Sequence, residues 1–416
     1  MSYDVVIAGG GLVGATLAAC LARDPSLSVA VLEKFPPPQS DASEQQDFHP
    51  SYDARNTALA NGTCHIFDQL GLWQAMREHA VPINTIEITN KGSFGKALIQ
   101  AQEERVRALG YVIENRYIGR YLFQHLSGLP NVDYLAPAQL KAIEYEANQV
   151  SLELEHQGQA QTQVTPLLVI ADGAQSDGRA LLGIDASVHQ YQQVAIVTAV
   201  TPDRPHNNVA LERFTDSGPL AILPQTHNRL GLTWCVSPER AQQLMDCSDQ
   251  DFMAALEQEA GSAMGELTKV GKRVQYPLAL TLAKEQVRPN VVVLGNAAHG
   301  LHPVAGQGFN MAARDVAVLV QHLFRARAEG VSWGDFSLLN GYFAERQQDQ
   351  FNTTQFSHNL TRLFSHSNPM LNFARNAGLT LFDSLQGTKR LVARHAMGRS
   401  VATELPDVEI KEHARV

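Results

Sequence analysis

The chain has 416 residues, with 33 Lys and Arg against 42 Asp and Glu, for a formal net charge of −9 at pH 7. That length supports two domains with real cores, and the acidic balance excludes a general nucleic-acid binder and gives no basic membrane patch. Its 4 cysteines, Cys20, Cys64, Cys235 and Cys247, are scattered without a C-x-x-C pair, so neither a disulfide framework nor a zinc knuckle is suggested.

The first predicted element is a short buried strand, Tyr3–Ala8, followed by a helix over Leu12–Leu21. Between them Gly9, Gly11 and Gly14 fit G-x-G-x-x-G: one for the tight turn, one for close pyrophosphate approach, one for helix–strand packing. Ser28–Leu32 is the next strand, and Glu33 ends it 19 residues after Gly14. An acid there accepts hydrogen bonds from ribose hydroxyls and repels a 2′-phosphate, so the half-site suits FAD or NAD rather than NADP. The bland reading is a plain α/β core turn; strand, helix, strand and terminal acid in order favour a dinucleotide. With Asp4 and no basic region, and with its apolar stretch broken by three glycines, this N-terminus reads as strand and helix rather than a targeting segment. No uncharged apolar run reaches membrane-helix length, so the expected location is cytoplasmic.

Phe35–Pro50 is rich in Pro, Ser, Gln and Asp and reads as an exposed loop. Asp53-Ala54-Arg55 then leads into Thr57–Leu70, where apolar residues fall at helical spacing, and Val112–Leu126 is predicted as a second amphipathic helix. Ala142–Glu155 alternates like a strand pair around Asn148. Leu167–Ala171 is a continuous apolar strand ending at Asp172-Gly173, where the pattern D-G-x-x-S-x-x-R runs to Arg179. From about 188 to 236 the stretches Val194–Val200, Val209–Phe214, Leu220–Leu223 and Arg229–Val236 are short, alternating and separated by turn residues, as in an antiparallel sheet.

Val291–Leu294 is another apolar strand, and it runs into G-N-A-A-H-G-L-H-P-V-A-G-Q-G-F-N, Gly295–Asn310, before a helical pattern starting near Phe309. A glycine-rich turn entering a helix presents free N–H groups and a positive dipole end to an anion or an electron-rich ring edge. Two such sites almost 300 residues apart can bind the two ends of one long cofactor, and FAD has that length. His299 and His302 form H-x-x-H, but a metal site needs three or four ligands and no further cluster follows, so no metal is expected. The C-terminal third is helical in pattern.

The expected fold class is α/β with α+β character: a Rossmann-like FAD-binding domain, an inserted antiparallel-sheet domain facing the substrate, and a helical C-terminal region. The expected partition gives residues 1–74, 100–185 and 284–350 to the first, 75–99 and 186–283 to the second, and 351–416 to the third.

These motifs resemble those of the flavoprotein aromatic hydroxylases built on the p-hydroxybenzoate hydroxylase fold. The resemblance covers nearly the whole chain and rests on G-G-G-L-V-G, D-G-x-x-S-x-x-R and G-N-A-A-H-x-x-x-P-x-x-G-Q-G-F-N in the family's order and spacing. Within the family the chain looks most like the ubiquinone-ring hydroxylases, the 2-octaprenyl-6-methoxyphenol branch above all. Ala305–Asn310, Arg314-Asp315, Glu212-Arg213-Phe214, Gly218–Ala221, Tyr276–Leu280 and Asp53-x-Arg55 point there. Most of the family has Gly-Asp where this chain has Gly295-Asn296; Asn still donates and accepts beside the ribityl chain but carries no charge.

The resemblance implies FAD, NADPH or NADH as a transient donor, and O₂ as co-substrate. The reduced flavin would trap O₂ as a C4a-hydroperoxide and deliver an OH to an electron-rich ring. For the cofactor it implies Gly9, Gly11, Gly14, Glu33, Asp172, Gly173, Asn296, Gly306, Gly308, Phe309 and Asn310. Arg55 is placed at FAD or the incoming nicotinamide, and Arg120 at the adenosine half or on an exposed helix face. His299, Pro303 and Gly306 are the residues assigned to the reacting ring. The implied substrate is a polyprenylated phenol, with Phe214, Leu220, Ile222, Leu223 and Trp234 either lining its pocket or filling the sheet core. Apolar residues of Phe351–Leu391 serve helix packing, or a surface for lipid or other ubiquinone-synthesis proteins, with at most peripheral contact at the inner face of the membrane. Oligomeric state, ring position, prenyl length and any general base stay open. Rival readings are a hydroxylase of a small soluble phenol, an epoxidase, and a non-catalytic protein that reuses the FAD fold.

Overall fold

The computed structural model describes residues 2–37, 55–92, 96–261 and 264–364, and beyond these 387, 389–390, 393–394, 397–398, 401 and 403–407. Its first layer is a six-stranded sheet in the order Val287–Arg288, Val291–Val293, Leu168–Ile170, Val5–Ala8, Val29–Leu32, Val132–Leu135. All pairs but the first are parallel. The central strands are fully buried Val, Ile, Leu and Ala, as expected of a sheet covered on both faces. Helices Leu12–Leu21, Asn115–Ser127 and Gln307–Ala328 cover one face, in a core that includes Leu17, Leu122 and Val316. A three-stranded antiparallel sheet, Ala138–Tyr145, Val150–His156 and Gln159–Thr165, covers the other through Leu140, Leu152 and Leu154.

Residues 186–283 form most of a nine-stranded sheet, and strands Thr85–Asn90 and Lys96–Gln100 extend it beyond Val209–Thr215. Period-2 alternation divides its side chains between two faces. Ile196, Leu220, Ile222, Leu232 and Trp234 pack under helices Pro238–Asp246 and Asp249–Ala260 with Leu244, Phe252 and Leu256. Ala195, Val197, Ala221, Leu223 and Thr233 take the opposite face.

Two predicted helices begin later than expected. Asn56–Ala60 and Gly110–Glu114 are strands, paired antiparallel with Asn56 opposite Glu114 and Ala60 opposite Gly110, and the helices follow as Asn61–Gln69 and Asn115–Ser127. A short apolar run fits either period, and here the cross-strand partner decides. Helix Phe336–Phe364 packs on Gln307–Ala328 through buried ion pairs: Arg314 Nε to Asp349 at 2.8 Å and Arg346 Nε to Asp315 at 2.7 Å. Residues 365–386, which hold much of the expected apolar C-terminal stretch, lie outside the described residues. No helix among the described residues is long and apolar enough to cross a membrane.

Candidate active site

The ends of the parallel strands open into a cavity of about 1820 Å³ that continues along the apolar face of the nine-stranded sheet. A single small-molecule site occupies roughly 300–1,000 Å³, so this space fits a cofactor and a substrate together.

The glycine turn is shaped by close contact. Gly9 has φ +111, and a Cβ there would meet the Ala171 carbonyl oxygen at 2.5 Å; a Cβ on Gly14 would run into the carbonyl of Gly9. Gly14 therefore sits behind the turn, holding helix to strand, while Gly9 and Gly11 line the cavity. Glu33 is buried yet lines the cavity; its carboxylate accepts the N–H groups of Gly10 at 2.9 Å and Phe35 at 3.0 Å.

Asp172 Oδ2 accepts the Gly178 N–H at 2.8 Å, and Oδ1 is buried without a hydrogen-bond partner among the described residues. Burial raises its pKa, and bonds from Ser176 and Gly178 oppose the rise. An unfilled acceptor at the cavity wall fits a hydroxyl-bearing cofactor. Gly173 lines the wall at φ +90. Arg179, which ends the same motif, donates to the Ala297 carbonyl at 2.6 Å and the Ala174 carbonyl at 3.3 Å, tying this segment to the Gly295 turn.

On that turn Asn296 is exposed and lines the cavity, as do Pro303, Gly306, Gly308 and Phe309. Gly306 is left-handed, φ +59, and caps helix Gln307–Ala328. A Cβ on Gly308 would meet nothing of the protein within 4 Å. The Asn310 side chain is spent inside the protein. Oδ1 accepts from Ala60 N and Thr63 Oγ1, both at 2.8 Å, and Nδ2 donates to the carbonyls of Ala58 at 2.8 Å and Gly306 at 2.9 Å. Gly9, the Gly306–Phe309 turn and Asp172 thus surround one space, and a flavin dinucleotide fits their chemistry.

His299 is not among the lining residues. Its Nε2 accepts from Gln286 Nε2 at 2.9 Å, and Gln286 also donates to Gln350, which reaches Asp315. Burial lowers its pKa, against the pull of the nearby Asp315 carboxylate. His302 does line the cavity; burial lowers it to about 4. The described residues hold no His, Cys, Asp and Glu cluster suited to a metal. Arg55 lines the cavity with its guanidinium 4.9 Å from the Tyr276 ring centroid. Arg120 is exposed on helix Asn115–Ser127, over Tyr117, and does not line it.

Of the expected pocket residues, Phe214 and Leu223 line the cavity, whereas Leu220, Ile222 and Trp234 belong to the core on the far face. Sequence reasoning missed Gln307, Asn352 and Tyr276 as lining residues. Tyr276 had a signal in the Tyr276–Leu280 run; the other two lie on helices whose facing no local pattern announces.

A family model described as an FAD binding domain matches residues 2–357. Ubiquinone hydroxylase UbiL of Rhodospirillum rubrum is 37% identical over 395 residues, covering 95% of this chain and 89% of that protein. The 3-demethoxyubiquinol 3-hydroxylase of Escherichia coli K12 is 31% identical over 95% of this chain and 98% of its own length. Human ubiquinone biosynthesis monooxygenase COQ6, a mitochondrial protein, is 30% identical over 95% of this chain and 92% of its own. Among solved structures, p-nitrophenol 4-monooxygenase PnpA from Pseudomonas putida superposes with a TM-score of 0.78 at 18% identity, over 96% of this chain and all of that one, 100%. That last likeness concerns the fold.

Proposed function

This chain belongs to the FAD-binding family of aromatic hydroxylases, in its ubiquinone-biosynthesis branch, and on that premise we propose that it hydroxylates the ring of a polyprenylated methoxyphenol. It is a flavin-dependent monooxygenase, and FAD and O₂ are its cofactor and co-substrate. NADPH or NADH is the proposed electron donor. The observation that carries the substrate class is the continuous cavity: one end is a dinucleotide turn and the other is an apolar sheet face. A prenylated ring needs such a face, because its tail gains roughly 25 cal/mol for each Å² removed from water.

Bound FAD supplies the activated oxygen. The chain's own residues have narrower tasks. The Gly9–Gly14 turn approaches the pyrophosphate, Glu33 and Asp172 accept hydroxyls, and Asn296 meets the ribityl chain. The N–H groups at Gly306–Phe309 offer positive charge to the edge of the ring system where negative charge develops. Pro303 stiffens the loop at the ring's face. His299 acts as a positioning residue, through Gln286, rather than in contact with the reacting atoms. Arg55, beside Tyr276, is suited to a phosphate of FAD or of the arriving nicotinamide. The proposed division of the chain puts 75–99 and 186–283 on the substrate side, which hold most strands of the nine-stranded sheet, although Val81–Ile83 pairs with Gly110–Glu114 in a separate sheet.

The test is anaerobic reduction of the purified FAD protein by NADPH, followed by O₂ and a prenylated 6-methoxyphenol, with product analysis. A product hydroxylated para to the phenolic oxygen supports the reading. Reduction and reoxidation to peroxide without product overturns the substrate assignment. A second ring position is the alternative to weigh, because the Escherichia coli relative is named for hydroxylating demethoxyubiquinol at position 3. The same product analysis separates the two.

A further inference from the structure

Two parts of the cavity wall flank the Gly306 turn, and they differ in chemistry. Helix Phe336–Phe364 and strand Ala186–Pro202 meet where the Tyr191 hydroxyl and His358 Nδ1 lie 3.0 Å apart. Between them they present Val188, Gln190 and Asn352 to the cavity, all exposed and two of them amides. The other part begins at Ala58, which a Cβ on Gly306 would meet at 3.5 Å, and it is apolar. Ile99 and Ile86 are cross-strand partners at the outer edge of the nine-stranded sheet, and Ile86 pairs with Ala210 on the next strand. Leu223 continues the row on Gly218–Gln225, where Ile222 pairs with Leu211. All four line the cavity and belong with Met397 to one apolar cluster. Three strand spacings make the row about 14 Å long. Ile99, Ala210 and Met397 are buried, so this lobe is interior where the other part opens to solvent. One row along the same strands Glu212 stands opposite Ile88 and bounds the apolar stretch on that side.

We propose that the isoprene units nearest the substrate ring lie along the row Ile99, Ile86, Ala210 and Leu223, with Met397 over them. This deepens the hydroxylase reading above and rests on it for the identity of the occupant. An isoprenoid chain is a branched hydrocarbon without a hydrogen-bonding group. It gains by contact with such a wall, and gains less where amides and solvent face it. Met397 suits a branched chain, because an unbranched thioether with three rotatable bonds fills irregular gaps. Its backbone is pinned: the carbonyl accepts the Gly62 N–H at 3.2 Å, and the N–H donates to the Ala393 carbonyl at 2.8 Å. Gly62 belongs to helix Asn61–Gln69, so the C-terminal segment is fastened to the cofactor-binding part of the chain while its methionine faces the tail. The row then decides how the ring lies, since the carbon bearing the tail must turn toward the Thr85–Asn90 edge of the sheet.

The test is a series of methoxyphenols bearing no, one, two or three isoprene units, with kcat/KM expressed relative to the tail-less member for each protein. In the parent this ratio should rise about tenfold for each added unit. Ala210→Phe fills the lobe and Ile86→Asn puts an amide into it. Each should lower the three-unit ratio about 100-fold, with bound flavin absorbance reporting that the variant is folded. If Ala210→Phe does not fold, Ile86→Asn on the half-buried position decides alone. Val188→Asn, on the exposed wall, should keep the parental ratio. A parental ratio in the folded lobe variants overturns the subsite, and so does a ratio that falls in Val188→Asn instead. Dissociation constants for the same series, read from flavin fluorescence, ask the question without turnover. Tail-dependent binding that the lobe variants lose, with no product from any phenol, would end the hydroxylase reading and leave an isoprenoid subsite standing. Product from the parent, with tail dependence untouched in the lobe variants, would remove the subsite alone.

Discussion

At Gly308 the cavity begins where a side chain would. Because a Cβ there touches no protein atom within 4 Å, Gly308→Val leaves the fold intact and puts its methyl groups into the cofactor's space. The expected result is a folded, colourless protein, read from far-UV circular dichroism and from flavin absorbance; normal bound flavin would contradict the assignment of this turn. His302 gives a pH prediction. Burial lowers its pKa from 6.5 to about 4, so between those values the unfolded chain binds a proton that the folded one refuses. Stability is therefore unaffected by this ring above the unfolded value, and falls by about 1.4 kcal/mol per pH unit as acid is added below it. His299, also lowered by burial, adds to the same slope. His302→Gln should flatten the acid limb of urea-unfolding stability, and an unchanged limb would assign the slope elsewhere. At this scale glycines and acids were legible, because a turn demands particular residue types. The inward positions of Tyr276, Asn352 and Gln307 were not, since facing depends on what packs against the element.

The two long C-terminal helices are joined by charge as well as by apolar contact. Asp349 accepts from Arg314 Nε at 2.8 Å and Arg346 Nη2 at 2.5 Å, and both arginines are fully buried. Removing the shared acid with Asp349→Ala leaves Arg346 its pair with Asp315 but takes from buried Arg314 its carboxylate, so the cluster keeps one positive charge in excess. The expected loss is about 3–5 kcal/mol in urea unfolding, from the penalty of an uncompensated buried charge. A loss under about 1 kcal/mol would show that water reaches the arginines and solvates them. Period and composition located most elements: the strand–glycine–helix unit, the hairpin around Asn148 and the strands of 188–236 stand where the pattern puts them. Thr57–Ala60 and Val112–Glu114 failed as helix starts because each is too short for its period to exclude a strand, and each finds its partner in the other.

For the whole molecule, the cavity runs from the ends of the six-stranded sheet to one face of the nine-stranded sheet, so a cofactor bound there would touch both. Added FAD at 100 times its Kd should stabilise the protein by about 2.7 kcal/mol, seen as a rise in Tm of the stripped protein. An unmoved Tm would mean that FAD does not prefer the folded chain. That two distant glycine segments line one cavity was legible from the length of FAD and the order of the motifs. The path of strands Thr85–Asn90 and Lys96–Gln100 to the far edge of the nine-stranded sheet is a question of register, and short alternating strands leave register open. Asn310 clamps strand Asn56–Ala60, helix Asn61–Gln69 and the Gly306 turn with one side chain. That wall is tied together as one piece, so under the proposed reaction any movement that brings a bound ring to two partners in turn would fall to the cofactor rather than to this side of the cavity.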